Sequence, residues 1–247
     1  MLLACDIGNS HISVGVFKGQ ALEDHFSIVT EKKATAADYS DRFKAKIAGD
    51  LKIDKLIVAS VVPEITKHVA SALESILNVS ARVLNNDDIP VKNKYAKPET
   101  VGTDRLLNAY GVANFYEAPF IIIDFGTATT FDVVSQKSEY LGGAIVPGVE
   151  TSLSALYGKA SKLQAVELKK PSEHIGHTTE ESIRSGVVIG TAGLVDKMVE
   201  EIESELGKST RVATGGLAEL IIPYSEKVNI IEQHLTLKAM AKLGQEG

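Results

Sequence analysis

The chain has 247 residues, of which 44% are hydrophobic and 23% are charged, a composition typical of a globular protein with one large or two small domains. A net charge of −6 leaves no surplus of Lys and Arg for phosphate neutralisation, which excludes a general nucleic-acid binder. No apolar run approaches the ~20 residues that span a bilayer, and the N-terminus lacks the basic region of a signal peptide. The single cysteine, Cys5, excludes an internal disulfide and a Cys-based zinc site. A cytoplasmic protein is therefore expected.

The first part of the chain predicts three strands, a helix, a strand, a helix and a strand. Residues 2–17 read as an apolar strand, a polar turn and an alternating strand, which indicates a β-hairpin with Cys5 inside its first strand. The following predicted elements are a strand over 21–29, a helix over 34–48, a strand over 56–62, a helix over 63–77 and a strand over 81–84. This order is the layout of a ribonuclease-H-like domain.

The hairpin turn at Asp6-Ile7-Gly8-Asn9-Ser10 has a counterpart in the second half, where residues 121–134 predict another hairpin around Asp124 and Gly126. Glycine lets backbone N–H groups approach a ligand closely, and a neighbouring carboxylate suits the cation that accompanies a phosphate. One such turn is common for conformational reasons alone. Two copies predict a duplicated domain with two phosphate loops facing each other across a cleft.

A polar, irregular segment over residues 85–101 connects the two halves. It is either a plain solvated linker or a segment in which Tyr95, among lysines, offers its ring and hydroxyl to a ligand. Asp104 and Arg105 follow at the start of a predicted helix that extends to Phe115. In one interpretation Asp104 is an N-cap acid and Arg105 is exposed. In the other, Arg105 clamps a carboxylate and Asp104 accepts a proton from a hydroxyl nucleophile.

The second half repeats the strand pattern and adds a long helix. The predicted elements are strands over 128–135 and 139–146 and helices over 150–157 and 178–206. Residues 210–217 predict a strand that runs into a Gly-Gly turn and a helix, and a strand over 228–231 and a helix over 236–243 follow. His174 and His177 lack the spacing of a helical zinc pair and are expected at the surface. The stripe Gly186, Gly190 and Gly193 would permit close helix packing, within the chain or across a dimer.

Five motifs in this order resemble the type III pantothenate kinases, within the superfamily of acetate and sugar kinases, heat-shock chaperones and actin. They are Asp6-Ile7-Gly8-Asn9-Ser10, Gly102-Thr103-Asp104-Arg105, Asp124-Phe125-Gly126-Thr127-Ala128-Thr129-Thr130, Gly143-Ala144-Ile145-Val146-Pro147-Gly148 and Thr214-Gly215-Gly216. Family members more often have Thr where Ser10 stands, and the hydroxyl is kept. No Walker loop is present.

The resemblance implies an α/β, duplicated ribonuclease-H-like (actin-like ATPase) fold with two similar halves around a nucleotide cleft. Residues 1–100 would form the N-terminal domain with the first phosphate loop. Residues 101–247 would form the C-terminal domain with the second phosphate loop and the adenosine loop. The implied reaction is ATP-dependent phosphorylation of pantothenate to 4′-phosphopantothenate, the first step of coenzyme A biosynthesis.

The resemblance also implies roles for individual residues. Asp104 would be the general base and a pantothenate contact, and Asp124 would bind a monovalent cation, K⁺ or NH₄⁺. Mg²⁺ would accompany ATP, and the enzyme would be a homodimer. The implied ATP contacts are Asp6, Ile7, Gly8, Asn9, Ser10, His11, Ile12, Ser13 and Thr127. The other implied pantothenate contacts are Tyr95, Gly102, Thr103, Arg105 on the carboxylate, and Thr179 across a dimer interface.

Three other functions stay open at this stage. The chain could be a non-catalytic regulatory relative that keeps the nucleotide fold, although Asp104, Arg105 and Asp124 are all present. It could be a kinase of the same superfamily that acts on another small hydroxyl substrate, since substrate choice depends on pocket shape. A filament protein of the actin type fits least, because the chain is short and lacks large insertions.

Overall fold

The computed structural model describes residues 1–47, 51–160 and 163–246, and these form eleven strands and seven α-helices. The strands are β1 Leu2–Ile7, β2 His11–Lys18, β3 Ala21–Val29, β4 Lys55–Ser60, β5 Ala81–Val83, β6 Lys92–Asn93, β7 Phe120–Phe125, β8 Ala128–Val134, β9 Glu139–Pro147, β10 Thr210–Gly215 and β11 Ile230–Ile231. The α-helices are α1 Ala36–Lys44, α2 Pro63–Leu77, α3 Thr103–Phe115, α4 Val149–Lys159, α5 Thr179–Leu206, α6 Ala218–Ile221 and α7 Leu235–Glu246. Two 3-10 turns, Asn86–Asp88 and Pro98–Thr100, precede α3.

The chain divides into two compact units. The first contains Met1–Val91, Ala96–Gly111 and Leu235–Gly247, and the second contains Lys92–Tyr95 and Val112–His234. These bounds differ from the expected domains 1–100 and 101–247, because the first part of α3 and all of α7 group with the first unit. The reason is apolar packing: α7 lies against β1 and β4, and Gly111 of α3 lies close to Leu235 and Ala239 of α7.

The first unit is built on a five-stranded sheet of order β3-β2-β1-β4-β5. β1, β2 and β3 pair antiparallel, whereas β4 is parallel to both β1 and β5. This confirms the predicted order of strands and helices. The bounds of α2 are those predicted, since Pro63 occupies its first turn and Asn78 ends it in a left-handed conformation. α1 ends at Lys44, and the last predicted residue of that helix, Ala48, lies outside the described residues.

The core of the first unit consists of alternating apolar residues of β2, the apolar runs of β1 and β4, and one face of each covering helix. Cys5 is fully buried in β1, as predicted, and burial raises the pKa of its thiol well above the ordinary value. Buried side chains of the helices, such as Tyr39, Phe43 and Leu73, complete this cluster. The turn between β1 and β2 therefore extends from a closely packed sheet.

The second unit is built on a six-stranded sheet of order β11-β10-β7-β8-β9-β6. Five of these strands, taken as β9-β8-β7-β10-β11, repeat the order and the pairing directions of the first sheet. The predicted duplication of a ribonuclease-H-like domain is confirmed. The sixth strand, β6, pairs with the outer edge of β9 and comes from the segment that the sequence indicated as irregular.

The long helix α5 begins at Thr179, and Thr178 caps it. The Thr178 side chain accepts a hydrogen bond from the Glu181 N–H, while the Glu181 carboxylate accepts one from the Thr178 N–H. His174 and His177 are exposed before this helix, as predicted. Within the part of the chain that the structure describes, none of the helices is both long enough and apolar enough to cross a membrane.

Candidate active site

The first Asp-x-Gly turn joins β1 to β2 at the carboxyl end of β1. The Gly8 N–H donates to the His11 carbonyl at 3.0 Å and closes the turn. Thr30, just after β3, donates its hydroxyl to the Gly8 carbonyl at 2.7 Å and its N–H to the Ser10 carbonyl at 2.9 Å. The turn is thus held both by its own backbone and by Thr30.

The side chains of this turn differ in what they can offer a ligand. Ile7 and Ile12 are fully buried in the core, backbone included, and so offer no accessible group to a ligand in this conformation. Asn9 and His11 are exposed, and the four remaining residues of the predicted ATP loop are half-buried. Backbone amides and short polar groups, without lysine, therefore line the turn.

The segment Gly102–Arg105 lies beside the carboxyl ends of β1 and β4. The Val61 N–H, directly after β4, donates to the Ile7 carbonyl at 3.0 Å, and a Cβ added to Gly102 would lie 3.5 Å from Val61 Cγ1. Val61 therefore lies next to both the end of β1 and Gly102. The motif that carries Asp104 and the first hairpin turn thus lie at the same end of the first sheet, where β1 and β4 terminate.

Asp104 lies in the first turn of α3, which begins at Thr103, so it is not the N-cap residue of the first interpretation. Its Oδ1 accepts a hydrogen bond from the Arg105 N–H at 2.8 Å. A Cβ on Gly102 would overlap the same oxygen, so the absence of a side chain there gives the carboxylate its space. Burial raises the pKa of Asp104, against the opposing effects of the Arg105 N–H and the Arg105 charge. A carboxylate with a raised pKa is better suited to accept a proton than an exposed one.

The second Asp-x-Gly turn joins β7 to β8 and is held by the start of α4. The Gly126 N–H donates to the Ala128 carbonyl at 3.1 Å. The Thr127 carbonyl accepts hydrogen bonds from the Gly148 N–H at 3.1 Å and from the Thr151 hydroxyl at 2.7 Å. Thr127 itself is exposed. A Cβ on Gly148 would overlap the Gly126 carbonyl, so the helix approaches the turn only because residue 148 is glycine.

Asp124 lies at the end of β7, opposite Thr214 of the parallel strand β10. The next residue of β10, Gly215, has φ +91°, and a Cβ there would lie 2.6 Å from Asp124 Oδ1 and 2.6 Å from both the N and O atoms of Phe125. The Thr214-Gly215-Gly216 motif therefore contacts the second turn directly. The half-buried Asp124 carboxylate is therefore packed closely against the glycine backbone.

Tyr95 follows β6 at the edge of the second sheet. The Lys94 N–H donates to the Tyr140 carbonyl at 2.8 Å, and the rings of Tyr95 and Tyr140 are 6.4 Å apart. A Cβ on Gly142 would lie 3.0 Å from the Tyr95 ring. The buried Tyr140 hydroxyl donates to the Asp132 carboxylate at 2.8 Å. Tyr95 is thus packed on an ordered surface, with 36% of its area exposed, rather than lying in a freely solvated linker.

The family model described as type III pantothenate kinase matches residues 2–201 of the chain. A type III pantothenate kinase from Desulforapulum autotrophicum is 42% identical over 251 residues, which cover 97% of this chain and 95% of that relative. The chain belongs to the type III pantothenate kinase family. Another member, from Thermus thermophilus, is 39% identical, with 100% of this chain and 99% of the relative covered. The chain is accordingly a kinase, a phosphotransferase that uses ATP.

Among solved structures, the ROK family glucokinase from Streptomyces griseus in complex with glucose and AMPPNP is similar to this type III pantothenate kinase in fold. The TM-score is 0.58, the identity is 12%, and the match covers 100% of this chain and 99% of that chain. At this identity the likeness concerns the fold alone. It agrees with the repeated sheet order and supports a duplicated ribonuclease-H-like fold.

The residues predicted for this pantothenate kinase fall into two groups. Asp6–Ser13 and Gly102–Arg105 belong to the first unit, whereas Tyr95, Asp124, Thr127 and Thr179 belong to the second. Thr179 is exposed at the first position of α5. Residues 186, 190 and 193 of that helix are exposed glycines, and a Cβ at each would meet open space.

Several polar residues that hold this site were not singled out from the sequence. Thr30 and Thr151 each donate a hydroxyl to a carbonyl of one hairpin turn, and Asn86 contacts the residues on both sides of Gly102. Each is a single polar residue far along the chain from its partner, so no periodic pattern marks it. The run Asn85–Asp88 is a local signal that predicts a turn, but it does not indicate which residues Asn86 contacts.

Proposed function

We propose that this type III pantothenate kinase uses Asp104 as the general base for its reaction. The reaction is ATP-dependent phosphorylation of pantothenate to 4′-phosphopantothenate, the first step of coenzyme A biosynthesis. The primary hydroxyl of pantothenate attacks the γ-phosphorus, the bond between that phosphorus and the β–γ bridging oxygen breaks, and ADP leaves. Asp104 accepts the hydroxyl proton. The observation that supports this role is a half-buried carboxylate with a raised pKa in the first turn of α3.

Pantothenate would be held by the residues around Asp104. Arg105 carries the guanidinium that would bind the substrate carboxylate with two hydrogen bonds. The Thr103 hydroxyl donates to Asn86 Oδ1 at 3.0 Å, so Thr103 would contact the substrate through its backbone or its hydroxyl lone pairs. Tyr95 and Thr179 would supply further contacts, in the case of Thr179 from the other subunit of a homodimer.

ATP would be bound by the two hairpin turns and by the Thr214–Gly216 motif. In the first turn, Asp6–Ser13, Ile7 and Ile12 are fully buried, so the exposed and half-buried residues around them would supply most of the contacts. In the second turn, Thr127 is an exposed residue whose carbonyl is held by Gly148 and Thr151, and it would contact ATP. Turns rich in backbone amides suit the charges of a triphosphate, and Mg²⁺ would arrive with ATP and neutralise part of that charge.

A monovalent cation, K⁺ or NH₄⁺, would bind at Asp124. The side chain is a half-buried oxygen ligand at the end of β7, and only a residue without a Cβ can approach its Oδ1 as closely as Gly215 does. A carboxylate oxygen is a ligand that suits a hard cation. The proposal of a homodimer is supported by the exposed glycines of α5, which would permit close helix packing. The cytoplasmic location stays a prediction.

The first experiment is an assay of ATP- and pantothenate-dependent product formation in potassium, ammonium and sodium salts. Formation of 4′-phosphopantothenate in potassium or ammonium, with a large loss in sodium, is the expected result. Binding of ATP without product in any of the salts would instead favour a non-catalytic relative. Product formation with a different small hydroxyl acceptor, and none with pantothenate, would favour another kinase specificity.

The homodimer and the contact of Thr179 have separate tests. Sedimentation at working concentration should give a dimer, and a monomer would contradict the proposal. An inactive Asp104→Asn subunit mixed with an inactive Thr179 variant should regain activity only if Thr179 acts across the dimer.

A further inference from the structure

Asn86 joins the two residues that flank Gly102. Its Nδ2 donates to the Val101 carbonyl at 2.8 Å, and its Oδ1 accepts from the Thr103 hydroxyl at 3.0 Å. One side chain therefore spans the segment immediately before Asp104. An amide is well suited to this task because it carries a donor and an acceptor at its end, whereas an ionised carboxylate is an acceptor only.

The support behind Asn86 is rigid. The residue begins the 3-10 turn Asn86–Asp88, and the Asp88 carboxylate accepts from the Asn85 N–H at 2.8 Å in a reciprocal cap. Leu84 before this turn and Ile89 after it are 3% and 4% exposed. The turn is thus anchored in the core on both sides, and Asn86 is half-buried between them. A side chain on such a base can fix the backbone that it contacts.

The position of Gly102 in turn determines where the Asp104 carboxylate lies. A Cβ at residue 102 would overlap Asp104 Oδ1, and that oxygen also accepts the Arg105 N–H at 2.8 Å. The Arg105 N–H is shared with the Gly102 carbonyl at 3.1 Å. A shift of Gly102 would therefore change both the space and the hydrogen bond of the carboxylate.

We propose that Asn86 is a positioning residue that holds the Val101–Thr103 backbone and thereby fixes the Asp104 carboxylate for proton acceptance. This inference rests on the proposed function of Asp104 as the base. Asn86 itself does not accept the proton, and its effect is transmitted through Gly102. Displacement of a catalytic group by about 1 Å costs on the order of 10²-fold in rate, so loss of the two hydrogen bonds should be visible in turnover.

The kinetic test compares Asn86→Leu and Asn86→Asp with Asp87→Ala. Leucine has nearly the same shape as asparagine but neither hydrogen bond, and aspartate keeps the acceptor while losing the donor. Asp87 lies in the same 3-10 turn with an exposed side chain, and its variant is the matched control. For both Asn86 variants kcat should fall by about 10-fold or more, while the KM for ATP stays within about 2-fold. The acid limb of the pH profile should also shift, because the environment of Asp104 changes.

A second measurement needs no activity. Amide hydrogen exchange of the peptide containing residues 101–106 should be faster in both Asn86 variants and unchanged in Asp87→Ala, at temperatures well below unfolding. Unaltered exchange and unaltered kcat in either folded Asn86 variant would overturn the positioning role. A lower melting temperature alone, with parental kcat and pH profile, would mean that Asn86 is merely structural and would also overturn it. If the parent enzyme makes no 4′-phosphopantothenate, or Asp104→Asn keeps its turnover, the proposed function fails instead.

Discussion

Replacing Gly215 with alanine is expected to destabilise the second unit and to disturb Asp124 at the same time. The new Cβ would lie 2.6 Å from Asp124 Oδ1 and from the backbone N and O of Phe125, well inside ordinary van der Waals contact. Backbone atoms of a paired strand cannot rotate away, so β7 and β10 must move apart. Residue 215 also has φ +91°, which side-chain-bearing residues rarely adopt.

The magnitude follows from these two effects. Left-handed strain costs about 1–2 kcal/mol and overpacking about 1–3 kcal/mol, so the free energy of unfolding should fall by roughly 2–5 kcal/mol. A loss near the middle of this range corresponds to a decrease in Tm of about 10 °C for a domain of this size. Displacement of the Asp124 carboxylate should also weaken cation binding, and a loss of ~1.4 kcal/mol there raises the half-activating potassium concentration about tenfold.

The assay is thermal unfolding together with a potassium titration of turnover, and Gly216→Ala is the stability control. Gly216 is exposed, and a Cβ there has no neighbour within 4 Å, so its substitution should change the free energy of unfolding by less than about 0.5 kcal/mol. Equal melting temperatures for the two variants would refute the steric reasoning. A destabilised Gly215→Ala with a parental potassium response would refute the connection to Asp124.

Three further predictions concern other parts of the site. Asp104→Asn should lower turnover by roughly 10²-fold or more while ATP binding persists, and near-parental turnover would contradict the base assignment. In the parent enzyme, turnover should be lost as pH falls through the pKa of Asp104. This loss should occur at a higher pH than for an ordinary aspartate, because burial raises that pKa. Arg105→Ala should raise the KM for pantothenate by about 10-fold or more through loss of a charged hydrogen bond, whereas an unchanged pantothenate dependence would count against the carboxylate clamp. Tyr140→Phe removes the 2.8 Å hydrogen bond to buried Asp132 and should destabilise the protein by about 1–3 kcal/mol in a thermal melt. The same substitution should raise the KM for pantothenate. This increase should vanish in a Tyr95→Ala background if Tyr140 acts through Tyr95.

Much of the fold could be predicted because its signals are local. The apolar runs and alternating patterns gave each sheet its main strands, and Pro63 marked the start of α2 to the residue. The repeated Asp-x-Gly turn predicted the duplication, which the common strand order of the two sheets bears out. β6 was missed because two residues have no period, and only pairing with β9 makes them a strand.

The candidate site was predictable to the extent that its chemistry lies in short motifs. Asp104 and Arg105 stand together at a helix start, and the pattern supplied both residue types but left the N-cap alternative open. The structure excludes the N-cap, because α3 begins at Thr103 and the Asp104 carboxylate bonds to Arg105. Which residues hold the segment before Asp104 could not be predicted, since Asn86 and Val61 contact residues 101–103 from other elements.

The sequence by itself determined the order of strands and helices and the two glycine turns, since these depend on side-chain periodicity and on neighbours along the chain. It also supplied the residue types that we propose for phosphate and substrate binding. Only the tertiary structure decided that α7 packs with the first sheet, that Gly215 lies against Asp124, and that Asn86 bonds to the residues on both sides of Gly102. These contacts join residues far apart in sequence, and their energies depend on distances of a few ångströms that no local pattern encodes.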